Sequence, residues 1–293
     1  MKTKNFILVG IVAFILVSNT NLVCANTINF FNLIGDGNTL YVGGVGPDNY
    51  SSINEAIDDA SDGDTVFVFH DSSPYIENVM IWKQIVLIGE DRDATIIDGN
   101  NSGNVITVAK DWVAISELTI QNGIVGIYID GHSNITITAN IVQDNRDEGI
   151  TFHSACDYNT VSNNIISDNG LIGLAFTSFS DYNTISENVI KNHVNGTSLA
   201  GFAYGEIYGN SFEDNTEYGL VLSLWCNENE IHQNNFIGNS RHAIFFIASL
   251  NKWNFNYWDR PRILPKPILG FFGIIPWIKF DWRPLLKPHE IPG

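Results

Sequence analysis

The sequence predicts an all-β fold, a right-handed parallel β-helix closed by an N-terminal amphipathic cap helix and an irregular C-terminal cap. Three observations predict it. A small residue opening an apolar strand recurs at Gly126, Gly149, Gly173, Gly196, Gly219 and Ala243, in steps of 23, 24, 23, 23 and 24 residues. An asparagine before a second apolar pair recurs at Asn140, Asn164, Asn188, Asn210, Asn235 and Asn256. Only 16% of the 293 residues are charged, and Asn, Gly, Ser and Thr fill the gap. That composition suits short strands joined by tight turns.

Each element follows from this repeat. Self-similarity at a fixed short period is the mark of a solenoid, in which no coil buries its own core and each is completed by its neighbours. Period-2 alternation assigns Ile127/Ile129, Ile150/Phe152, Leu174/Phe176, Leu220/Leu222 and Ile244/Phe246 to the interior. Four residues after each of the first five asparagines stand Asp144, Asp168, Asn192, Asp214 and Asn239. Asn and Asp tolerate the left-handed backbone that a sharp turn needs. The stacked asparagines are expected to satisfy polar groups of the next coil. Upstream, Ile53, Ala56, Ile57 and Ala60 have helical spacing and predict the cap helix. After Trp253 prolines and tryptophans crowd together, which predicts an irregular wrap, since proline is excluded from central strands.

Residues 1–25 read as a signal peptide: Lys2 and Lys4, an apolar run from Phe6 to Val17, and a Val23-Cys24-Ala25 cleavage site. Asn21 and Val23 do not fit a lipidation signal around Cys24. The run is too short for a helix to cross a bilayer of about 30 Å, so no transmembrane span is expected after cleavage. The β-helix with its N-terminal cap is assigned to residues 26–258 and the capping segment to 259–293. An exported location follows: extracellular, periplasmic or cell-surface.

Cys156 and Cys226 fall at similar points of coils three turns apart. At roughly 4.8 Å per coil that is on the order of 14 Å, and a disulfide needs Cα atoms within about 7 Å. Two unpaired thiols are expected. The net charge of −17 argues against nucleic acid or an anionic membrane as a partner of the chain as a whole. From Asn251 onward the balance is +4, with seven basic and three acidic residues, which leaves −21 on the remainder.

The segment SSINEAIDDASDGDTVFVFHDSSPYIENVMIWKQIVLIGEDRDATIIDG resembles the opening of pectate-lyase-like β-helices. The coils that follow, such as NNIISDN and GNSFEDN, resemble the carbohydrate-binding and sugar-hydrolysis repeats, in particular the NosD-type β-helix domain. The resemblance covers roughly residues 38 to 258. It implies the fold, and with it either carbohydrate chemistry or a role like that of NosD, which is implicated in copper delivery to nitrous oxide reductase. A shared fold does not transfer chemistry.

The candidate sites are therefore read residue by residue. For catalysis the nearest acidic cluster with a basic residue is Asp144, Arg146, Asp147, Glu148 and Asp168, the type of set with which a lyase holds calcium. The NTD, DD, GHG and RIK motifs of polygalacturonase-like enzymes are missing from the coils, and Asp144 and Asp168 already have a turn position to explain them. For a metal, His132 and Cys156 stack one coil apart with His153 nearby, which suits copper or zinc; as a plain reading, they are solvent-facing turn residues. For binding, the outward columns of the first repeated strand read Tyr128, Thr151, Ala175, Ser198, Val221, Phe245 and Asp130, His153, Thr177, Ala200, Ser223, Ile247. A polar sheet face with aromatic ends suits an extended glycan. Asn49, Asn100, Asn134 and Asn195 stand in N-glycosylation sequons. The function expected is a non-catalytic surface or carbohydrate-binding module whose partner is a glycan or another cell-surface component. The alternatives are a polysaccharide lyase or hydrolase and a NosD-like copper-maturation accessory, with calcium or copper as the respective metal.

Overall fold

The computed structural model describes residues 37–291. The signal peptide read at residues 1–25, Cys24 included, lies outside them. Three parallel sheets run the length of the solenoid. Sheet A has ten strands from Thr39–Val42 to Lys252–Asn254, and sheet B nine from Tyr75–Ile76 to Tyr257–Trp258. Sheet C has ten, beginning with Val79–Ile81 and ending in a hairpin. One coil takes a strand from each in turn: Thr136–Thr138 in A, Ile141–Gln143 in B, Glu148–His153 in C. The interior is a single apolar column, in which Ile127, Ile150, Leu174 and Leu220 align with Phe152, Phe176 and Leu222 at no more than 1% exposure. Phe152 and Phe176 stack at 4.3 Å, as do Phe236 and Trp258 at 4.4 Å.

The recurrent glycines mark close approach between coils. A Cβ on Gly149 would meet the carbonyl oxygen of Gly173 at 2.6 Å, and one on Gly173 that of Gly196 at 2.7 Å. The last member of this column is not Ala243. The register pairs Leu220 with Ala243 and Leu222 with Phe245, so His242 takes the glycine position. A side chain fits there because the next strand, Lys266–Phe272, pairs with this one only at Phe245 and Phe246. The one-residue shift inverts the predicted alternation in the final coil. Phe245, expected on the outer face, is buried at 3%, and Phe246, expected inside, is 37% exposed.

Three buried asparagine ladders hold the coils together, one at each corner. Between sheets A and B it runs through Asn140, Asn164, Asn188, Asn210, Asn234 and Asn256. Each backbone N–H donates to the next side-chain Oδ1 at 3.0–3.1 Å. Asn234, not Asn235, occupies this ladder; Asn235 begins a sheet B strand and bonds His289 instead. The adjacent pair of asparagines made the two registers indistinguishable by pattern. The same slip misplaced Asn239. Asp144, Asp168, Asn192, Asp214 and Gly238 are the left-handed residues of the B-to-C corner, with φ between 49° and 64°. The ladder there is Asn145, Asn169, His193, Asn215 and Asn239. The C-to-A corner has Asn159, Asn183, Asn229 and Asn251, interrupted by Gly205. At each corner a left-handed residue precedes the ladder side chain, which turns the amide inward.

Helix α1, Ile53–Asp59, buries Ile53, Ala56 and Ile57 against the first strands. Glu77 accepts the N–H groups of Ile53 and Asn54 at its N-terminus, at 2.8 and 3.1 Å. At the other end the proline-rich segment is not a wrap throughout. Lys266–Phe272 and Ile275–Asp281 form an antiparallel hairpin. Pro267 lies outside the short stretch paired with sheet C, and Pro276 is on the outer strand, so neither removes a bond from the main ladder.

Candidate functional site

The left-handed positions of the C-to-A corner form a column that runs Trp112, Asn134, Tyr158, Tyr182, Tyr204, Glu228 and Leu250. Each backbone N–H donates to the carbonyl just before the next member, which fixes them one coil apart. Tyr158 and Tyr182 stack at 5.1 Å and 6°, and Tyr182 and Tyr204 at 5.3 Å and 15°. The three rings are about half exposed, between 48% and 59%. Asp157 and Asp181 precede the first two tyrosines, and the Asp157 carboxylate accepts the Asp181 N–H at 2.7 Å. Burial and then the Asp157 charge push the Asp181 pKa up. The phenol of Tyr204 is raised chiefly by the Glu228 charge. Phe179, Leu224 and Trp225 lie exposed on the same corner. The result is an aromatic and acidic edge along several coils. The sequence does carry a signal for it, the repeated Asp157-Tyr158-Asn159-Thr160 and Asp181-Tyr182-Asn183-Thr184.

Part of the outer face expected on sheet C does assemble. Tyr128 and His153 stack at 6.2 Å, and His153 Nδ1 lies 3.1 Å from Asp130 Oδ1. The desolvated phenol of Tyr128 has a raised pKa. Thr177 is exposed at the strand end, Ser223 donates to the Leu199 carbonyl, and Thr151 is nearly buried. Phe245 is absent from this face, as the register requires.

The charged groups of the acidic cluster pair locally. Arg146 is tied to the adjacent Asp147 at 2.8 Å, which pushes the guanidinium pKa up and the carboxyl pKa down. Glu148 is raised by burial. Asp144 and Asp168 are turn residues, and Asp168 accepts from Asn192 at 2.9 Å.

The candidate metal ligands diverge. Cys156 is fully buried rather than solvent-facing, and its thiol donates to the carbonyls of His153 and Ser154. The His132 ring turns outward to Asp111 at 2.9 Å. Cys156 and Cys226 are free thiols separated by Ser180 and Phe202 in one column, as the repeat predicts.

A family profile described as periplasmic copper-binding protein (NosD) matches residues 57–270. The chain belongs to the NosD family. That family is periplasmic by its description, and among the described residues no helix is long and apolar enough to cross a membrane. No curated protein matches the chain. Among solved structures it is similar to an alginate lyase from a Paenibacillus species, with a TM-score of 0.61 and 14% identity over 76% of this chain and 88% of that one. XylC, solved with xylose, gives a TM-score of 0.66 and 11% identity over 75% and 65% of the two chains. Pectate lyase Pel9A gives 0.56 and 14% over 75% and 74%. At these identities the likeness shows the fold.

The described residues do not fit the copper of the family's description. Among the described residues no group of three or more His, Cys, Asp or Glu converges on one point. Burial pushes the Cys156 thiol up and the Cys226 thiol to about 11, away from the thiolate that copper requires. His70, His132 and His153 each face a single carboxylate, and His193 is locked into a ladder. Met80 lies on the outside of sheet C, and no other methionine is among the described residues.

Proposed function

We propose that this chain is an exported, non-catalytic β-helix that binds a glycan along its C-to-A corner. The observation that carries the reading is the column of half-exposed, mutually stacked rings at Tyr158, Tyr182 and Tyr204. Their faces stiffen one another, and each ring is about half exposed on a corner that also carries Asp157 and Asp181. Sugars offer C–H faces to aromatic rings and hydroxyls to carboxylates. The cluster of Tyr128, Asp130 and His153 extends the same chemistry onto sheet C. The fold shared with an alginate lyase and a pectate lyase makes polysaccharides the first ligand class to test.

A polysaccharide lyase or hydrolase is the second reading. It rests on Asp157 and Asp181 in successive coils, the second with its pKa raised by burial and by the Asp157 charge. A glycan array on the purified protein, followed by assays for reducing ends and unsaturated products, separates the two. Binding without turnover, weakened by Tyr182→Ala, is the expected outcome. Turnover abolished by Asp181→Ala would replace the proposal with the enzyme.

A further inference from the structure

The C-terminal hairpin leaves apolar surface uncovered where a cap would bury it. Ile268 and Gly270 face the last coil, but Leu269, Phe272, Ile274, Ile275, Trp277 and Ile278 are 48–96% exposed. From Leu269 to Ile278 there is no charged residue. The tip at Gly273 is open, with nothing within 4 Å of a Cβ built there. Soluble monomers rarely expose a contiguous apolar patch beyond a few hundred Å² without a partner for it.

Charge identifies the partner. Arg260, Arg262, Lys266, Lys279, Arg283 and Lys287 surround the base of the hairpin, and among the described residues none of them forms an ion pair. This end is +4 on a chain whose remainder is −21. An anionic lipid surface therefore attracts the hairpin end and repels the rest of the rod. Trp277 and Trp282, both more than half exposed, are the residue type that anchors at a bilayer interface. We propose that the hairpin tip, centred on Phe272, Ile274 and Ile275, inserts into the interface of an anionic lipid bilayer while the surrounding Lys and Arg residues contact the headgroups.

The test is co-sedimentation of the full chain with vesicles of phosphatidylcholine alone or mixed with phosphatidylglycerol, together with tryptophan fluorescence. The expected result is binding to the mixed vesicles only, with a blue shift, and release by salt. Ile274→Asp, at a 96% exposed site, should lower the partition coefficient by about tenfold or more with an unchanged melting temperature. Arg283→Glu with Lys287→Glu should do the same. Absence of lipid binding, equal binding to both vesicles, or indifference to Ile274→Asp overturns the proposal. So does a lipid-free dimer that Ile274→Asp converts to monomer, since the face would then belong to a second copy of this chain. Tyr182→Ala leaves lipid binding intact, so this result stands or falls apart from the glycan reading.

Discussion

Asn256 and Asp281 form the last rung of the A-to-B ladder: the backbone N–H and the side-chain amide of Asn256 both donate to Asp281 Oδ2, at 2.9 and 3.0 Å. The indole N–H of Trp258 donates to the same oxygen at 3.1 Å, and the Arg283 N–H to Oδ1 at 3.1 Å. Asp281 is fully buried. The ladder runs out of coils here, and the hairpin supplies a carboxylate in place of the next asparagine.

Asp281→Ala strands these buried donors, at a cost of about 1–3 kcal/mol for each group left unpaired. A loss of about 3 kcal/mol or more in urea unfolding is expected. Asp281→Asn keeps an acceptor oxygen and should lose less than half of that. Equal losses in the two variants would mean that packing, rather than the rung, is what matters.

The coils were legible in the sequence because each needs the same solution: an inward strand, a left-handed turn residue and a buried amide. Legibility ended wherever two neighbouring residues satisfied the pattern equally well. Asn234 and Asn235 are both asparagines, and only the hydrogen bonds choose between them; that slip misplaced Asn239, and His242 in place of a glycine sent Phe245 to the wrong face. The tyrosine column was missed for a different reason. Apolar alternation locates interiors, whereas a corner residue belongs to no strand, and its recurrence at Tyr158 and Tyr182 stands out only once the corner has been aligned. The hairpin escaped because a rule that bars proline from central strands says nothing about Pro276 on an outer strand.

His193 makes the fold sensitive to acid. It occupies an asparagine position in the B-to-C ladder, between Asn169 Nδ2 at 3.2 Å and Asn215 Oδ1 at 3.3 Å, and is 2% exposed. Burial lowers its pKa from 6.5 to about 4, against the smaller upward pulls of Asn215 and Asp168. The unfolded chain takes up a proton near pH 6.5 and the folded chain only near 4, so stability falls as pH drops through that window. The full loss is about 3 kcal/mol, at 1.36 kcal/mol per pH unit. His242, also lowered to about 4 by burial and by neighbouring cations, acts in the same direction. His193→Asn restores the residue type of the adjacent rungs and should remove the His193 share. Unfolding midpoints measured from pH 7 to 4 that decline as steeply in the variant would refute this assignment.

The two coil thiols should be inert in the native state. Cys226 bonds the carbonyls of Leu199 and Ser223 and is fully buried. With its pKa raised to about 11, almost none of it is thiolate at pH 8. Neither Cys156 nor Cys226 should react with a thiol reagent until denaturant is added. Cu(I) titrated against a chelator should stay with the chelator in the wild type and in Cys156→Ser alike. Tight one-to-one uptake that Cys156→Ser abolishes would place this chain with the metal-binding function of its family's description after all.

The tyrosine column makes a prediction about chemistry as well as about place. If the glycan meets the ring edges and faces, Tyr182→Phe keeps the stack with Tyr158 and Tyr204 and most of the affinity, whereas Tyr182→Ala removes the central ring. An aromatic contact of this kind is worth about 0.5–1.5 kcal/mol beyond its area, so Tyr182→Ala should weaken binding by about tenfold. If the hydroxyl is the contact, Phe and Ala weaken binding alike. Isothermal titration with the tightest hit from the array decides between them, with a thermal melt on each variant to show that the corner is still folded. The ladder residues Asn159 and Asn183 hold the two turns from beneath, so the corner should survive loss of an exposed ring. An affinity that neither substitution changes would move the binding site away from this edge, and Tyr128 and His153 would be the next residues to replace.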